Sequence, residues 1–298
     1  MELDVTRQVE EIRADRVHGA GWLARRAVLV LGQAVADSPA TSQAALEEDL
    51  RAVVGHLIAA KPTMAPVANL VCRLGSEILE RVRAGDCLTA VRGYAIQRAS
   101  ELANQAEEAV RLASEHALIM ISAGASILTC SYSSAVRDTL ILSTRSGRHP
   151  TMLIARSWNG GTAHGEQLSN QLAASGLIAE VVPDASLDAS ARRTTLALIG
   201  ADAILPDASV VNGYPSRALA EAAREAEIPL YCVCETLKLD ARPLLGHDPA
   251  IEPGFELVPA SLIVGYCTEL GLLSPDEVRA LVPRMVTYLW AFFGTLRS

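Results

Sequence analysis

The sequence contains no long uninterrupted apolar stretch, although 50% of its 298 residues are apolar. A membrane-spanning helix needs about 18 or more consecutive apolar residues, so we expect none here. The chain starts MELDVTRQVEEIRADR, which is charged and lacks the apolar core of a signal peptide. Together the two absences predict a cytoplasmic protein.

Cysteine pairs and excess positive charge are also missing. The six cysteines stand at positions 72, 87, 130, 232, 234 and 267 without a CxxC pair, so we expect no zinc site and no disulfide framework. Cys232 and Cys234 are two residues apart in an apolar run, which predicts that they share one face of a buried strand. The net charge of −8 disfavours nucleic acid as the main partner. We also expect no cofactor.

Two hydrophobic patterns divide the chain. Up to about residue 113, apolar residues recur at spacings of three and four, as in 42–60 and 95–119, which predicts helices. Beyond it, short apolar runs alternate with amphipathic segments, which is typical of βαβ units around a parallel sheet. We therefore predict an α/β protein with a helical domain over 1–113 and a parallel-sheet domain over 114–298. The predicted strands are 117–122 with 126–129, 151–155, 179–182, 196–200, 229–234 and 262–266, and the predicted helices between them are 132–144, 164–175, 188–195 and 215–226.

One carboxylate has a position that suits chemistry. The apolar run Leu196-Ala197-Leu198-Ile199 reads as a strand buried on both faces, and Gly200-Ala201-Asp202 follows it. Ligands bind at the carboxyl ends of strands in open α/β sheets. Asp202 is therefore a candidate acid or base, with the cap of a following helix as the alternative.

Other predicted strand ends carry polar groups that could either bind a ligand or have only a structural role. The turn 129–134 is rich in hydroxyls, and Ser131, Ser133 or Ser134 could bind an anion at a helix start or simply cap that helix. Lys238 follows another strand and could pair with a phosphate or be solvated. Asp184 and His164 fit helix starts better than catalysis. The glycines of 159–165 suit a ligand loop or a plain turn, and Asn212-Gly213 predicts a turn.

Several short segments together resemble one family. They are Asp15-Arg16-Val17-His18-Gly19-Ala20, Lys61-Pro62-Thr63 with Asn69 downstream, Leu128-Thr129-Cys130-Ser131, Pro183-Asp184-Ala185-Ser186, Gly200-Ala201-Asp202-Ala203-Ile204, Val210-Val211-Asn212-Gly213, Glu235-Thr236-Leu237-Lys238 and 268–275. In order and approximate spacing they are similar to the alpha, beta and delta regulatory subunits of initiation factor 2B. The same family includes isomerases of ribose-1,5-bisphosphate and methylthioribose-1-phosphate. The match covers nearly the whole chain.

The resemblance implies an architecture and a set of roles. It implies a helical amino-terminal domain, a Rossmann-like carboxy-terminal domain, a homodimer and a phosphorylated ligand in the cleft between domains. Its catalytic pair implies Asp202 together with Cys130 or Ser131. Its substrate-binding positions imply phosphate or substrate contacts from Arg16, Gly19, Ala20, Lys61, Ser134, Asn212 and Lys238.

The sequence departs from the isomerases where protons move. Ser131 stands at the position of their cysteine, and a serine hydroxyl needs a separate base. Cys130 stands at the position of their histidine, and neighbouring side chains along extended backbone point to opposite faces. Gly213 replaces a lysine. Ser157-Trp158-Asn159-Gly160-Gly161 replaces a Glu-x-Arg-Pro segment, and Lys61 replaces an arginine.

Three functions follow from this pattern. The first is a regulatory or degenerate member that binds a pentose phosphate or a nucleoside monophosphate without turnover, which the lost thiol and lysine favour. The second is an active aldose–ketose isomerase that uses Asp202 with Cys130 or Ser131. The third is a protein-interaction subunit without a ligand.

Overall fold

The computed structural model describes residues 3–249 and 251–294. The chain folds into two compact units. Within the described residues, the first consists of 3–108, 239–249 and 282–294, and the second of 109–238 and 251–281. The predicted division at residue 113 stays a prediction.

The described part of the first unit is built from helices. They are α1 (Leu3–Ala14), α2 (Ala20–Ala36), α3 (Gln43–Ala60), α4 (Ala65–Arg83), most of α5 (Leu88–His116) and α11 (Val286–Phe293). Ser42 starts α3, because its hydroxyl accepts a hydrogen bond from the Ala45 N–H at 3.2 Å. Helix α4 packs against α2, α3 and α11, and buries a broad apolar face there. No helix of the described residues is long and apolar enough to cross a membrane.

The second unit contains a seven-stranded sheet. Its strands are β1 (Ser126–Thr129), β2 (Thr151–Ala155), β5 (Glu180–Val182), β6 (Leu196–Ile199), β9 (Leu230–Val233), β11 (Gly265–Thr268) and β12 (Gly271–Leu273). The strand order is β12-β11-β9-β6-β1-β2-β5, and every pair is parallel except β11 with β12. The predicted α/β fold class, helices followed by a Rossmann-like parallel sheet, is confirmed.

Two further sheets and five helices complete this unit. A small antiparallel sheet has the order β10-β8-β7, and β3 pairs with β4 in a hairpin. These strands are β3 (Trp158–Asn159), β4 (Thr162–Ala163), β7 (Ala203–Ile204), β8 (Val210–Gly213) and β10 (Phe255–Val258). The helices are α6 (Ser134–Arg145), α7 (His164–Ala174), α8 (Leu187–Ala191), α9 (Ser216–Glu225) and α10 (Pro275–Leu281). On one face of the large sheet, alternate residues such as Ile127, Ile154 and Leu198 form a core with α6 and α7.

Some predicted elements are wrong in type or length. The apolar run 117–122 is not a strand but contains a 3₁₀ helix over Ala117–Met120. In a strand, residues 117, 119 and 121 would share one face of the sheet. Ala117 and Ile121 are buried while Ile119 is 77% exposed, so the burial pattern is not that of a strand. The expected turn at Asn212-Gly213 is the end of β8, which pairs with β10.

Candidate functional site

Six of the predicted site residues lie in the second unit, and four of them follow strands of the large sheet. Strand β6 lies between β1 and β9, so Asp202 follows the middle strand of the three. Cys130 and Ser131 follow β1, and Lys238 follows β9. Parallel strands end at one edge of a sheet, which is where α/β proteins bind ligands.

Gly200 shows how closely these strand ends approach one another. A Cβ atom on Gly200 would lie 2.6 Å from Ser133 Cβ and 3.7 Å from Asn212 Oδ1. The Ser133 hydroxyl caps α6 by accepting from the Val136 N–H at 3.3 Å. Ser134 is the first residue of α6 and is partly buried. Of the three serines considered as caps, Ser133 is therefore the one that caps the helix.

Ser131 has a left-handed backbone with φ of 58°. Its N–H donates to the Ser157 hydroxyl at 2.7 Å, and the residue is 8% exposed. Its side chain lies so close to Gly213 that a Cβ on Gly213 would collide with Ser131 Oγ. Ser131 and Gly213 therefore fit each other, and no larger residue fits at 213 without a shift of Ser131.

Cys130 belongs to a buried polar cluster rather than to an open surface. Its Sγ lies 3.4 Å from the Ser216 hydroxyl, which also accepts from Asn212 Nδ2 at 2.7 Å and donates to the Gly213 carbonyl. Burial raises the pKa of the Cys130 thiol to about 12, although the hydrogen bond between Cys130 and Ser216 opposes this. A thiol with so high a pKa is almost wholly protonated at neutral pH. Cys130 therefore has the properties of a structural group.

Asp202 has the electrostatic surroundings of an acid or base. Burial raises the pKa of its carboxyl from 3.8 to about 6, the Lys238 ammonium opposes the rise, and the Glu235 carboxylate adds to it. The Asp202 N–H donates to the Val211 carbonyl at 2.8 Å, which ties the end of β6 to β8. A carboxyl that titrates near pH 6 can exchange protons under physiological conditions.

The sequence contains only two lysines, Lys61 and Lys238. They are 5% and 6% exposed, whereas lysine side chains are almost never fully buried without a partner. Lys238 Nζ lies 3.6 Å from Glu235 Oε1, and Glu235 is itself buried. Lys61 Nζ donates to the Asp15 carbonyl at 2.7 Å. Both lysines are thus held in place by acidic or carbonyl oxygens.

The remaining predicted phosphate ligands lie with Lys61 in the first unit. Arg16 is exposed, and its Nη1 donates to the carbonyls of Arg13 and Asp15 at 2.8 and 3.0 Å. Gly19 is the N-cap of α2, and Ala20 is its buried first residue. Asp15 therefore connects Arg16 and Lys61 through its carbonyl oxygen.

Sequence reasoning missed several residues that build the site in the second unit. Ser157 and Ser216 are fully buried, and both hydroxyls bond to backbone or side chains of the site. Glu235 is buried beside Lys238. The spacing of Glu235 and Lys238 was a readable signal, since i and i+3 residues meet in a helical turn. Nothing in the local sequence marks Ser157 or Ser216.

Comparisons with known proteins agree on one family. A family model described as the initiation factor 2 subunit family (IF-2B) matches residues 16–254. The chain is 28% identical over 288 residues to an eIF-2B subunit 2-like translation initiation factor of Pyrococcus furiosus, covering 92% of this chain and 97% of that protein. It is 23% identical over 312 residues to the ribose 1,5-bisphosphate isomerase of Archaeoglobus fulgidus, covering 96% and 94%.

Solved structures have the same fold. The translation initiation factor eIF-2B of Pyrococcus horikoshii OT3 superposes with a TM-score of 0.78 at 24% identity, covering 93% of this chain and 99% of that one. A chain of the tetrameric eIF2B-β2δ2 complex of C. thermophilum gives a TM-score of 0.78 at 20% identity, covering 96% of each chain. The resemblance inferred from the short segments is confirmed: the chain belongs to the initiation factor 2 subunit family.

Proposed function

We propose that this chain is an initiation factor 2B-like protein that binds a pentose phosphate or a nucleoside monophosphate without turning it over. In this proposal Lys238 pairs with the phosphoryl group, while Ser131, Ser134 and Asn212 bind hydroxyl or phosphoryl oxygens. Arg16, Gly19, Ala20 and Lys61 are further proposed phosphate ligands. The proposal includes a cytoplasmic homodimer.

The observation that carries the proposal is that, among the described residues, the site contains a buried cation, Lys238, but only one group suited to proton transfer, Asp202. Lys238 is a buried cation that lies beside Glu235 and acts electrostatically on Asp202, and an ammonium group of this kind can pair with a phosphoryl oxygen. Asp202 can move a proton. Aldose–ketose interconversion by the family's chemistry needs a second group, and Ser131 has no accessible pKa while the pKa of Cys130 is raised to about 12.

Ligand-induced stabilisation tests the proposal. We expect the melting temperature of the wild-type protein to rise with ribose 1,5-bisphosphate, ribose 5-phosphate or a nucleoside monophosphate, because a ligand that binds only the folded state stabilises it. Lys238→Met should abolish the shift and Lys238→Arg should retain part of it, because arginine keeps the charge. If none of these compounds stabilises the wild-type protein, the proposal fails and a ligand-free interaction subunit is left.

The two lysines permit a direct second measurement. Protein labelled with ¹³C only in lysine has two lysine side chains to observe by NMR. A ligand that pairs with Lys238 should shift the Lys238 signal, which the Lys238→Arg variant identifies by its absence. Binding that leaves this signal unchanged would place the phosphoryl group elsewhere.

One observation favours an active isomerase as a second candidate. The Asp202 carboxyl titrates near pH 6, which suits a general acid or base. Ketose formation from a stabilising aldose phosphate, lost in Asp202→Asn, would establish that function instead of regulation.

A further inference from the structure

Asp184 accepts hydrogen bonds from the loop that follows β2. It follows β5, and its two carboxylate oxygens accept hydrogen bonds from the N–H groups of Ser157 and Trp158 at 2.6 and 3.0 Å. Those two residues follow β2, the neighbour of β5 in the sheet. Asp184 is therefore neither a helix cap of the ordinary kind nor a free surface carboxylate. Bonds between a carboxylate and backbone N–H groups are about twice as strong as neutral ones.

Ser157 connects Asp184 to the loop that follows β1. It is fully buried with φ of 56°, a conformation that is unfavourable for a non-glycine residue and persists only where its surroundings impose it. Its hydroxyl donates to the Ala155 carbonyl at 3.0 Å and accepts from the Ser131 N–H at 2.7 Å. The Ser157 hydroxyl is thus held by backbone groups both as a hydrogen-bond donor and as an acceptor.

Ser131 is the third residue of this connected series. Its backbone is also left-handed, and its side chain lies against Gly213. Among the described residues the Ser131 hydroxyl makes no hydrogen bond of its own, so its position depends on the backbone beneath it. The series runs from the Asp184 carboxylate through the Ser157 N–H and hydroxyl to the Ser131 N–H.

We propose that Asp184 is a positioning residue of the ligand site, which holds the Ser131 hydroxyl at the end of β1 by fixing Ser157. This inference rests on the proposed function, because it names the residue that prepares that site for its ligand. Asp184 also contributes, after burial, to the raised pKa values of Cys130 and Tyr214, which agrees with its position beside the same strand ends.

A measurement without ligand tests the positioning itself. In Asp184→Asn, an NH2 group, which cannot accept a hydrogen bond, replaces one of the two carboxylate oxygens. Hydrogen exchange followed by mass spectrometry should show peptides covering 129–133 and 155–159 exchanging roughly tenfold faster than in the wild type. Asp188→Asn is the matched control, since Asp188 is exposed in the same segment and should change neither peptide. Unchanged exchange in a folded Asp184→Asn protein would overturn the inference.

A double variant separates positioning from simple stabilisation of the loop. Ser157→Ala removes the hydroxyl between Asp184 and Ser131. With ribose 1,5-bisphosphate as the probe, we expect each single variant to bind about tenfold more weakly, and the double variant to bind no more weakly than either. Losses that add up would mean that Asp184 acts independently of Ser157, which contradicts the series.

The ligand-binding measurement and the hydrogen-exchange measurement can fail independently of each other. If the wild-type protein binds no phosphorylated compound, the proposed function fails while the exchange measurement still decides the positioning role. Urea unfolding of every variant identifies a protein that is merely misfolded, and Ser157→Ala then replaces Asp184→Asn in the exchange measurement at 129–133.

Discussion

At the scale of single residues, two departures from the isomerase pattern are linked by contact. The resemblance implies that Gly213 stands where those enzymes have a lysine and that Ser131 stands where they have a cysteine. The structure brings the Ser131 hydroxyl against the backbone of Gly213, so that any Cβ at 213 would collide with it. The residues are 82 positions apart in sequence, and no local pattern connects them.

The contact predicts a compensating pair of substitutions. Gly213→Ala should lower the free energy of unfolding by roughly 1–3 kcal/mol, because the new methyl group meets Ser131 Oγ in a packed interior. Ser131→Ala with Gly213→Ala should recover most of that loss, since the nearest Ser131 atom would then be Cβ at 3.2 Å. Urea unfolding followed by circular dichroism measures both. Equal destabilisation in the single and double variants would contradict the contact.

The sequence permits only part of this site to be predicted. Asp202 and Lys238 were identified because they follow apolar runs that read as parallel strands, and such strands share a carboxyl edge. Ser157 was missed because its role depends on a left-handed backbone conformation that a serine rarely adopts. On the sequence alone Cys130 is a candidate catalyst, because neither its burial nor its contact with Ser216 can be inferred from neighbouring residues.

At the scale of elements, short apolar runs were the least informative segments. The run 117–122 has the composition of a strand, yet it contains a 3₁₀ helix that follows α5. Strand β7 has only two residues, and β8 ends in Asn212-Gly213, a pair that reads as a turn, so the sequence predicts neither as a strand. The long helices are predictable because burial of one face imposes a period on many residues, and the central strands are predictable because burial on both faces makes them continuous apolar runs.

One buried ion pair fixes the segment that contains the 3₁₀ helix Arg242–Leu245 to the turn between α3 and α4. Both carboxylate oxygens of Asp240 accept from Arg242, whose Nη1 also donates to the Pro62 carbonyl at 2.8 Å. The two residues are 2% and 7% exposed. Arg242→Ala should therefore cost about 3–5 kcal/mol, since it leaves the Asp240 carboxylate buried without its cation.

A surface pair provides the control for that prediction. Arg193→Ala breaks the bond to Glu180, whose side chain is 49% exposed, and should lower stability far less than Arg242→Ala does, because solvent screens an exposed ion pair. The measurement is the urea concentration at half-unfolding for both variants. Similar losses in the two variants would show that burial of the Asp240–Arg242 pair has no special effect.

At the scale of the whole molecule, Asp202 makes stability depend on pH. Its pKa is about 6 in the folded protein against 3.8 ordinarily, so the folded state binds more protons between these values. Stability from this group is therefore fully present below about pH 4 and is lost as the pH rises through about 6. The loss is up to about 3 kcal/mol.

Asp202→Asn isolates this contribution from all other titrating groups. We expect the free energy of unfolding of the wild type, minus that of Asp202→Asn, to fall between pH 4 and pH 7. Chemical unfolding at a series of pH values measures the difference. A difference that stays constant, or that rises with pH, would show that the Asp202 carboxyl is ionised at least as easily in the folded chain as in the unfolded one.

Residues 239–249 have a consequence for attempts to prepare the two halves of this chain as separate polypeptides. Immediately after Lys238 the chain enters the helical unit, where Asn69 Nδ2 donates to the Leu239 carbonyl at 2.8 Å. A carboxy-terminal half cut after residue 108 would carry this segment without Asn69 and Pro62, and with its Asp240–Arg242 pair exposed to solvent. Expressing the sheet half alone therefore requires a redesigned bridge from 238 to 251, because a simple truncation leaves 239–249 without the contacts that hold this segment in place.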